Sequence, residues 1–212
     1  ELDGLDNVTM LAMDALKNKN RFNPAVLEAV YRELDAEPGR RFKLAANLPY
    51  NIATPVLSNL LASERPPHSM TATIQKELAD RIVARPGTKD YGSLSIWMQS
   101  QCRVGIVRVM PPTAFFPRPK VTSAIVHIEL DDALRARIPD REFFHGFTRA
   151  MFFHRRKFLR SELLSAFKKR LTKPQVDRIL GQLGLDPTIR AERLDVETML
   201  ALAETVRGEV GD

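Results

Sequence analysis

The hydrophobic positions change their period along the 212-residue chain. Through the first half, short apolar runs alternate with stretches of helical spacing, the pattern of a sheet with helices packed on it. Residues 8–13 predict a strand ending at Asp14, residues 41–46 a second strand and residues 69–74 a third. Between them, Asn23-Pro24 supplies an N-cap followed by proline in the first turn, which predicts a helix over 25–34 that Pro38-Gly39 breaks. Residues 55–62 and 76–84 predict further helices, and 93–102 fits helix or strand, with helix favoured. Residues 103–110 and 123–129 are β-branched and roughly alternating, with Pro111-Pro112 and Pro117-Arg118-Pro119 between them, and predict an antiparallel pair at a sheet's edge. Beyond Asp131-Asp132 only helical spacing remains, over 140–153, 156–167, 173–183 and 195–206. The expected architecture is an α/β sheet domain over residues 1–135 and a small all-α domain over 136–212.

Charge sharpens this picture. The chain carries 32 basic and 26 acidic residues, a net +6, which only hints at a polyanionic partner. The segment 149–173 holds nine basic residues (Arg149, Arg155, Arg156, Lys157, Arg160, Lys168, Lys169, Arg170, Lys173) and one acid, Glu162. The positive charge is therefore local, and the rest of the chain is slightly acidic. A solvated helix face is the ordinary reading of such a run; nine bases with a single acid favour RNA phosphates instead. The four histidines are scattered, without metal-site spacing, so no metal is expected. One cysteine, Cys102, forbids an intrachain disulfide and fits a reducing, cytoplasmic setting; no apolar run approaches a membrane span.

Candidate chemistry sits at Asn47-Leu48-Pro49-Tyr50, between a predicted strand and a predicted helix. The carboxyl end of a sheet strand is where open α/β sheets bind ligands. An exocyclic adenine amine is a poor nucleophile, because its lone pair is delocalised into the ring. The amide oxygen of Asn47 and the backbone carbonyl of Leu48 or Pro49 can both accept from that amine and favour a pyramidal nitrogen. Proline stiffens the loop and removes a competing N–H. Tyr50 offers a flat face to a base. Positioning and electrostatics would then carry the reaction without a strong general base. Four such residues also make an ordinary strand-to-helix turn.

The wider context favours chemistry. The run Asn47 to Pro55, the pair Gln75-Lys76-Glu77 and Tyr91-Gly92-Ser93-Leu94-Ser95, and the segment Ala114 to Ala124 follow one another in order. Arg155-Arg156-Lys157 and Gly184-Leu185-Asp186-Pro187 with Arg190-Ala191-Glu192 complete the series. Together these resemble the small-subunit ribosomal RNA adenine N6-dimethyltransferases of the KsgA type, over nearly the whole chain. The resemblance implies a Rossmann-like class I methyltransferase sheet and a small all-α C-terminal domain. It also implies S-adenosylmethionine-dependent dimethylation of adjacent adenosines in small-subunit ribosomal RNA, in support of ribosome biogenesis. The partner would be that RNA or the pre-ribosomal small subunit, met by a cytoplasmic monomer away from any membrane.

Residue by residue, the resemblance assigns Asn47, Leu48, Pro49 and Tyr50 to the target adenine and Phe115 to its other face. Phe116 departs from the small polar residue usual there, which leaves open which ring stacks. Asp14 and Asn47 would meet the methyl donor; for Asp14 a plain helix N-cap is the alternative. Arg149, Arg155, Arg156, Lys157, Arg160, Lys168, Lys169 and Arg170 would bind RNA. A glycine-rich donor loop of the family's kind is not found among the ten glycines. The sheet is therefore expected to be N-terminally incomplete, and this chain alone to be inactive and to bind donor poorly. A non-catalytic RNA-binding assembly factor on the same scaffold and a large-subunit RNA adenine methylase are the competing readings.

Overall fold

The computed structural model describes residues 7–19 and 21–211. A short hairpin, β1 (Leu16–Asn18) and β2 (Arg21–Phe22), precedes helix α1 (Pro24–Ala36), whose cap Asn23 accepts from Ala25 N at 3.2 Å. Strand β3 (Lys43–Asn47) leads to α2 (Ala53–Ala62), and β4 (Ser69–Gln75) runs directly into α3 (Lys76–Val83). Helix α4 (Ser93–Gln99) follows, then β5 (Cys102–Met110) and β6 (Ser123–Leu130). The remainder is helical: α5 (Asp132–Ala136), α6 (Arg141–Met151), α7 (Leu159–Ala166), α8 (Lys173–Gln182) and α9 (Val196–Val210).

The four longer strands form a mixed sheet in the order β3-β4-β6-β5. β3 and β4 are parallel, with Asn47 beside Thr73, whereas β6 is antiparallel to β4, with Ser123 beside Gln75. The end of β3, the end of β4 and the start of β6 therefore share one edge of the sheet. Period-2 patterning sets the two faces. Met70, Ala72 and Ile74 of β4 and Ala124, Val126 and Ile128 of β6 are buried with the apolar sides of α3 and α4. Thr71, Thr73, Ile125 and His127 lie on the half-exposed face, where Thr71 Oγ1 is 2.8 Å from His127 Nδ1. The expected antiparallel pair is present, with β5 outermost.

The segment 8–13 differs from expectation, since it forms no strand. Its apolar side chains stay open to solvent, Met10 at 72% exposure. The physical reason is pairing: an alternating run becomes a strand only where a neighbour satisfies its backbone. The described residues offer it no ladder, and β3 pairs only with β4.

The C-terminal helices share a core in which Phe143, Phe147 and Phe167 lie 6.0–6.3 Å apart. Several long-range bonds tie them to the sheet. The buried Arg135 guanidinium donates to Leu61 O at 3.0 Å and Gln101 Oε1 at 2.5 Å, and Tyr91 Oη donates to Leu194 O at 2.9 Å. Gly87, at φ +81°, donates its N–H to Glu192 O at 2.7 Å. That backbone region favours glycine. α7 starts at Leu159, three residues later than the spacing predicts, which leaves the basic stretch 152–158 as a loop.

Candidate active site and nucleic-acid interface

Asn47 closes β3, and the chain turns at once. Leu48 N still donates to Thr73 O at 3.2 Å, so the sheet pairing carries one residue past the strand. Pro49 O accepts from Ile52 N at 3.1 Å, which closes the turn into α2. Leu48 O has no donor among the described residues. Tyr50 is half-buried, and its hydroxyl lies 2.7 Å from Ser123 Oγ at the start of β6. The ring is therefore tied at its tip, on a loop pinned at Leu48 and Pro49.

The loop between β5 and β6 arrives at the same edge. Asn47, Leu48, Pro49 and Tyr50 line one side of a cleft of about 320 Å3, and Phe115, Phe116, Pro117 and Pro119 line the other. That volume is at the small end of ligand clefts. Phe115 is half-buried while Phe116 is fully exposed. Among the residues lining it, the Tyr50 phenol is the one titratable group, so the cleft can orient a planar base but has little means to take its proton. Asp14 does not line this cleft. It is neither in a strand nor a helix cap; Asp14 Oδ1 accepts from Leu16 N at 3.0 Å, in a turn before β1.

A second cleft, about 390 Å3, adjoins the first through the Tyr50–Asn51 peptide. It is lined by Asn51 and Thr54 at the start of α2, Lys19, Arg81 of α3, and His145 and Arg149 of α6, among others. The N-terminus of α2 has no side-chain cap, so its dipole adds positive character. Trp97 stacks on His145 at 4.2 Å, and its buried indole N–H has no acceptor among the described residues. Burial lowers the pKa of His145, with Arg149 adding to the effect. Lys19, Arg81 and His145 were invisible as site residues in the sequence, because three distant segments meet only in the fold.

The basic stretch divides in two. Arg155 donates to Lys89 O at 2.7 Å and Tyr91 O at 3.1 Å, Arg160 pairs with Asp177 at 2.5 and 2.7 Å, and Arg170 donates to Val210 O and Gly211 O. Arg149, Arg156, Lys157, Lys168 and Lys169 are exposed, and their side chains make no hydrogen bond or ion pair with the described residues. Burial pushes the Cys102 thiol up to about 12, which leaves it inert as a nucleophile. No group of three or more His, Cys, Asp or Glu is placed to hold a metal among the described residues, and no described helix is long and apolar enough to cross a membrane.

Comparison with known proteins decides the lineage. Residues 2–206 match the family model described as ribosomal RNA adenine dimethylase. The chain belongs to that family. It is 37% identical over 201 residues to the ribosomal RNA small subunit methyltransferase A of Lactococcus lactis, covering 95% of this chain and 65% of that protein. It is 42% identical over 167 residues to the protein of the same name from Halothermothrix orenii, covering 79% of this chain and 56% of that one. The chain thus spans less than two thirds of the length of these two family members. The crystal structure of a dimethyladenosine transferase from Plasmodium falciparum shares the fold, with TM-score 0.66 and 22% identity, over 78% of this chain and 67% of that one. The α/β fold with a helical C-terminal part is therefore that of the family.

Proposed function

We propose that this chain carries the adenine-handling and RNA-holding parts of an S-adenosylmethionine-dependent enzyme that dimethylates N6 of adjacent adenosines in small-subunit ribosomal RNA. The observation that carries the reading is the meeting of Asn47–Tyr50 and Phe115 across one base-sized cleft at the carboxyl end of β3. The target adenine enters unstacked, since its amine is out of reach within a helix. Tyr50, steadied by Ser123, stacks on one face, and Phe115, half-buried and so better fixed than Phe116, on the other. Asn47 Oδ1 and Leu48 O accept from the two N6 hydrogens. Pro49 O is engaged by Ile52, which makes Leu48 the better second acceptor.

The second substrate would supply a sulfonium methyl; Asn47 and Leu48 would hold the N6 lone pair toward it, and the surplus N6 proton would leave to solvent. Asn47 lines the base cleft, whereas Asp14, the other residue expected at the donor, does not, and the described residues offer no glycine cradle for the donor. Residues 136–212 would hold RNA through the free cations Arg149, Arg156, Lys157, Lys168 and Lys169, and Arg81 and Lys19 would lead the strand toward the base. Arg155, Arg160 and Arg170 would instead shape this surface. Substituting Asn47→Ala in the full-length protein tests the reading. Methylation of unmodified small subunits should collapse while RNA binding persists; unchanged methylation would refute it. Mass mapping of the modified nucleotides separates small-subunit from large-subunit targets.

A further inference from the structure

A third cleft, about 480 Å3, opens on the other side of Arg149, between α6 and α7. Arg149, Phe153, His154, Glu162 and Ser165 line it with Gly146. Three features set it apart from a solvated groove. Phe153 is 78% exposed although it is a large aromatic, and it stands edge-on to His154 with ring centres 4.7 Å apart. Glu162, the one acid in the basic stretch, is not spent on the surface: its side chain is only 3% exposed. One carboxyl oxygen lies 3.0 Å from His154 Nδ1, and the other, Oε2, is buried with no donor among the described residues. A buried acceptor without a donor is costly, by about 1–3 kcal/mol. A surface cation run that merely solvates a helix has no use for such a group.

We infer that this cleft binds a second unpaired RNA base, separate from the target adenine, and that the base is guanine. The inference rests on the RNA reading above. Phe153 provides the stacking face, as aromatic residues do for splayed-out RNA bases. Glu162 provides the acceptors at the inner end, Oε1 shared with His154 and the donorless Oε2, which a small turn of the carboxylate brings to the entering base. Guanine alone presents two parallel N–H donors, from N1 and the exocyclic N2, in the geometry a carboxylate accepts. Adenine and cytosine offer an amine beside an unprotonated ring acceptor that a carboxylate repels, and uracil offers one N–H between two carbonyls. Arg149, with Arg156 and Lys157 on the neighbouring loop, holds the flanking phosphates, so an electropositive rim surrounds an acceptor floor. His154 fixes the rotamer of Glu162 from the side.

The test uses the 212-residue chain and short single-stranded oligouridines carrying one central guanosine, inosine or adenosine, read by fluorescence anisotropy at two salt concentrations. The guanosine probe should bind roughly five- to a hundredfold tighter than the adenosine probe, with inosine, which lacks the N2 amine, between them. Glu162→Gln should abolish the ranking while leaving overall salt-dependent binding. Phe153→Ala, at an exposed position that does not threaten the fold, should weaken the guanosine probe by about tenfold or more. Salt-dependent binding with no ranking in the parent chain, or a ranking that survives both variants, overturns the guanine site and leaves the RNA reading intact. No binding of any probe overturns both.

Discussion

The cleft at the end of β3 and the basic surface of α6–α7 are built by opposite means, and on the proposed reading they would handle the same polymer. The cleft is neutral, its positions fixed by backbone pairing, by the Tyr50–Ser123 bond and by prolines. The basic surface is charged, and its free side chains are long and unpaired. Orientation of one base to within a fraction of an ångström requires the former; capture of a polyanion at distance requires the latter. A chain of this kind can therefore lose chemistry without losing binding, and the reverse.

The largest effect expected is at the cleft. Asn47→Ala in the full-length protein should reduce the methylation rate by about 10²–10³-fold, as removal of one preorganised polar group does elsewhere, with RNA affinity within about twofold of the parent, since this neutral side chain neutralises no phosphate. Equal loss of both would show that the two regions are not separable. Phe115→Ala comes next, costing about 1–3 kcal/mol of base stacking, measured as a rise in KM, whereas Phe116→Ala should cost little. A reversed order would move the stacking role to the exposed ring. On the basic surface, Arg156→Ala with Lys157→Ala should lower the slope of log affinity against log salt by about 0.7 for each phosphate no longer neutralised. Arg155→Ala separates the tied from the free cations. It should lower stability by about 1 kcal/mol, seen in Tm, with a nearly unchanged salt slope.

The smallest effect concerns His145, which sits where the two regions meet. Burial holds its pKa below the ordinary 6.5, so the unfolded chain takes up the proton first as pH falls. Stability is then complete above about pH 6.5 and declines below it. Thermal melts at about pH 8 and about pH 5.5, on either side of that value, should show the loss, and His145→Gln should diminish it.

Much of this was legible in the residues and some was not. Asn23-Pro24 announced α1, Pro117 and Pro119 marked the loop before β6, and the alternation in β4 and β6 set the sheet's faces, because caps, prolines and period are local signals. The Asn47–Tyr50 loop was legible because a strand end and a helix start bracket it. The segment 8–13 has a strand's alternation, but a strand is a property of two neighbours. The basic run read as one patch because its partners Lys89, Tyr91, Asp177 and Val210 lie far away in sequence. The cleft of Lys19, Arg81 and Arg149 and the unpaired carboxyl oxygen of Glu162 are likewise products of tertiary assembly, and no window along the chain contains them.

Because β6 enters against the direction of β3 and β4, whatever peptide precedes it must be delivered to the mouth of the cleft that Asn47–Tyr50 line. The connector 111–122 can thus change length or side chains while the ladder behind it keeps its register. On the proposed reading, preference for one nucleotide context over another can drift through that connector alone, with the Asn47–Tyr50 loop after β3 untouched.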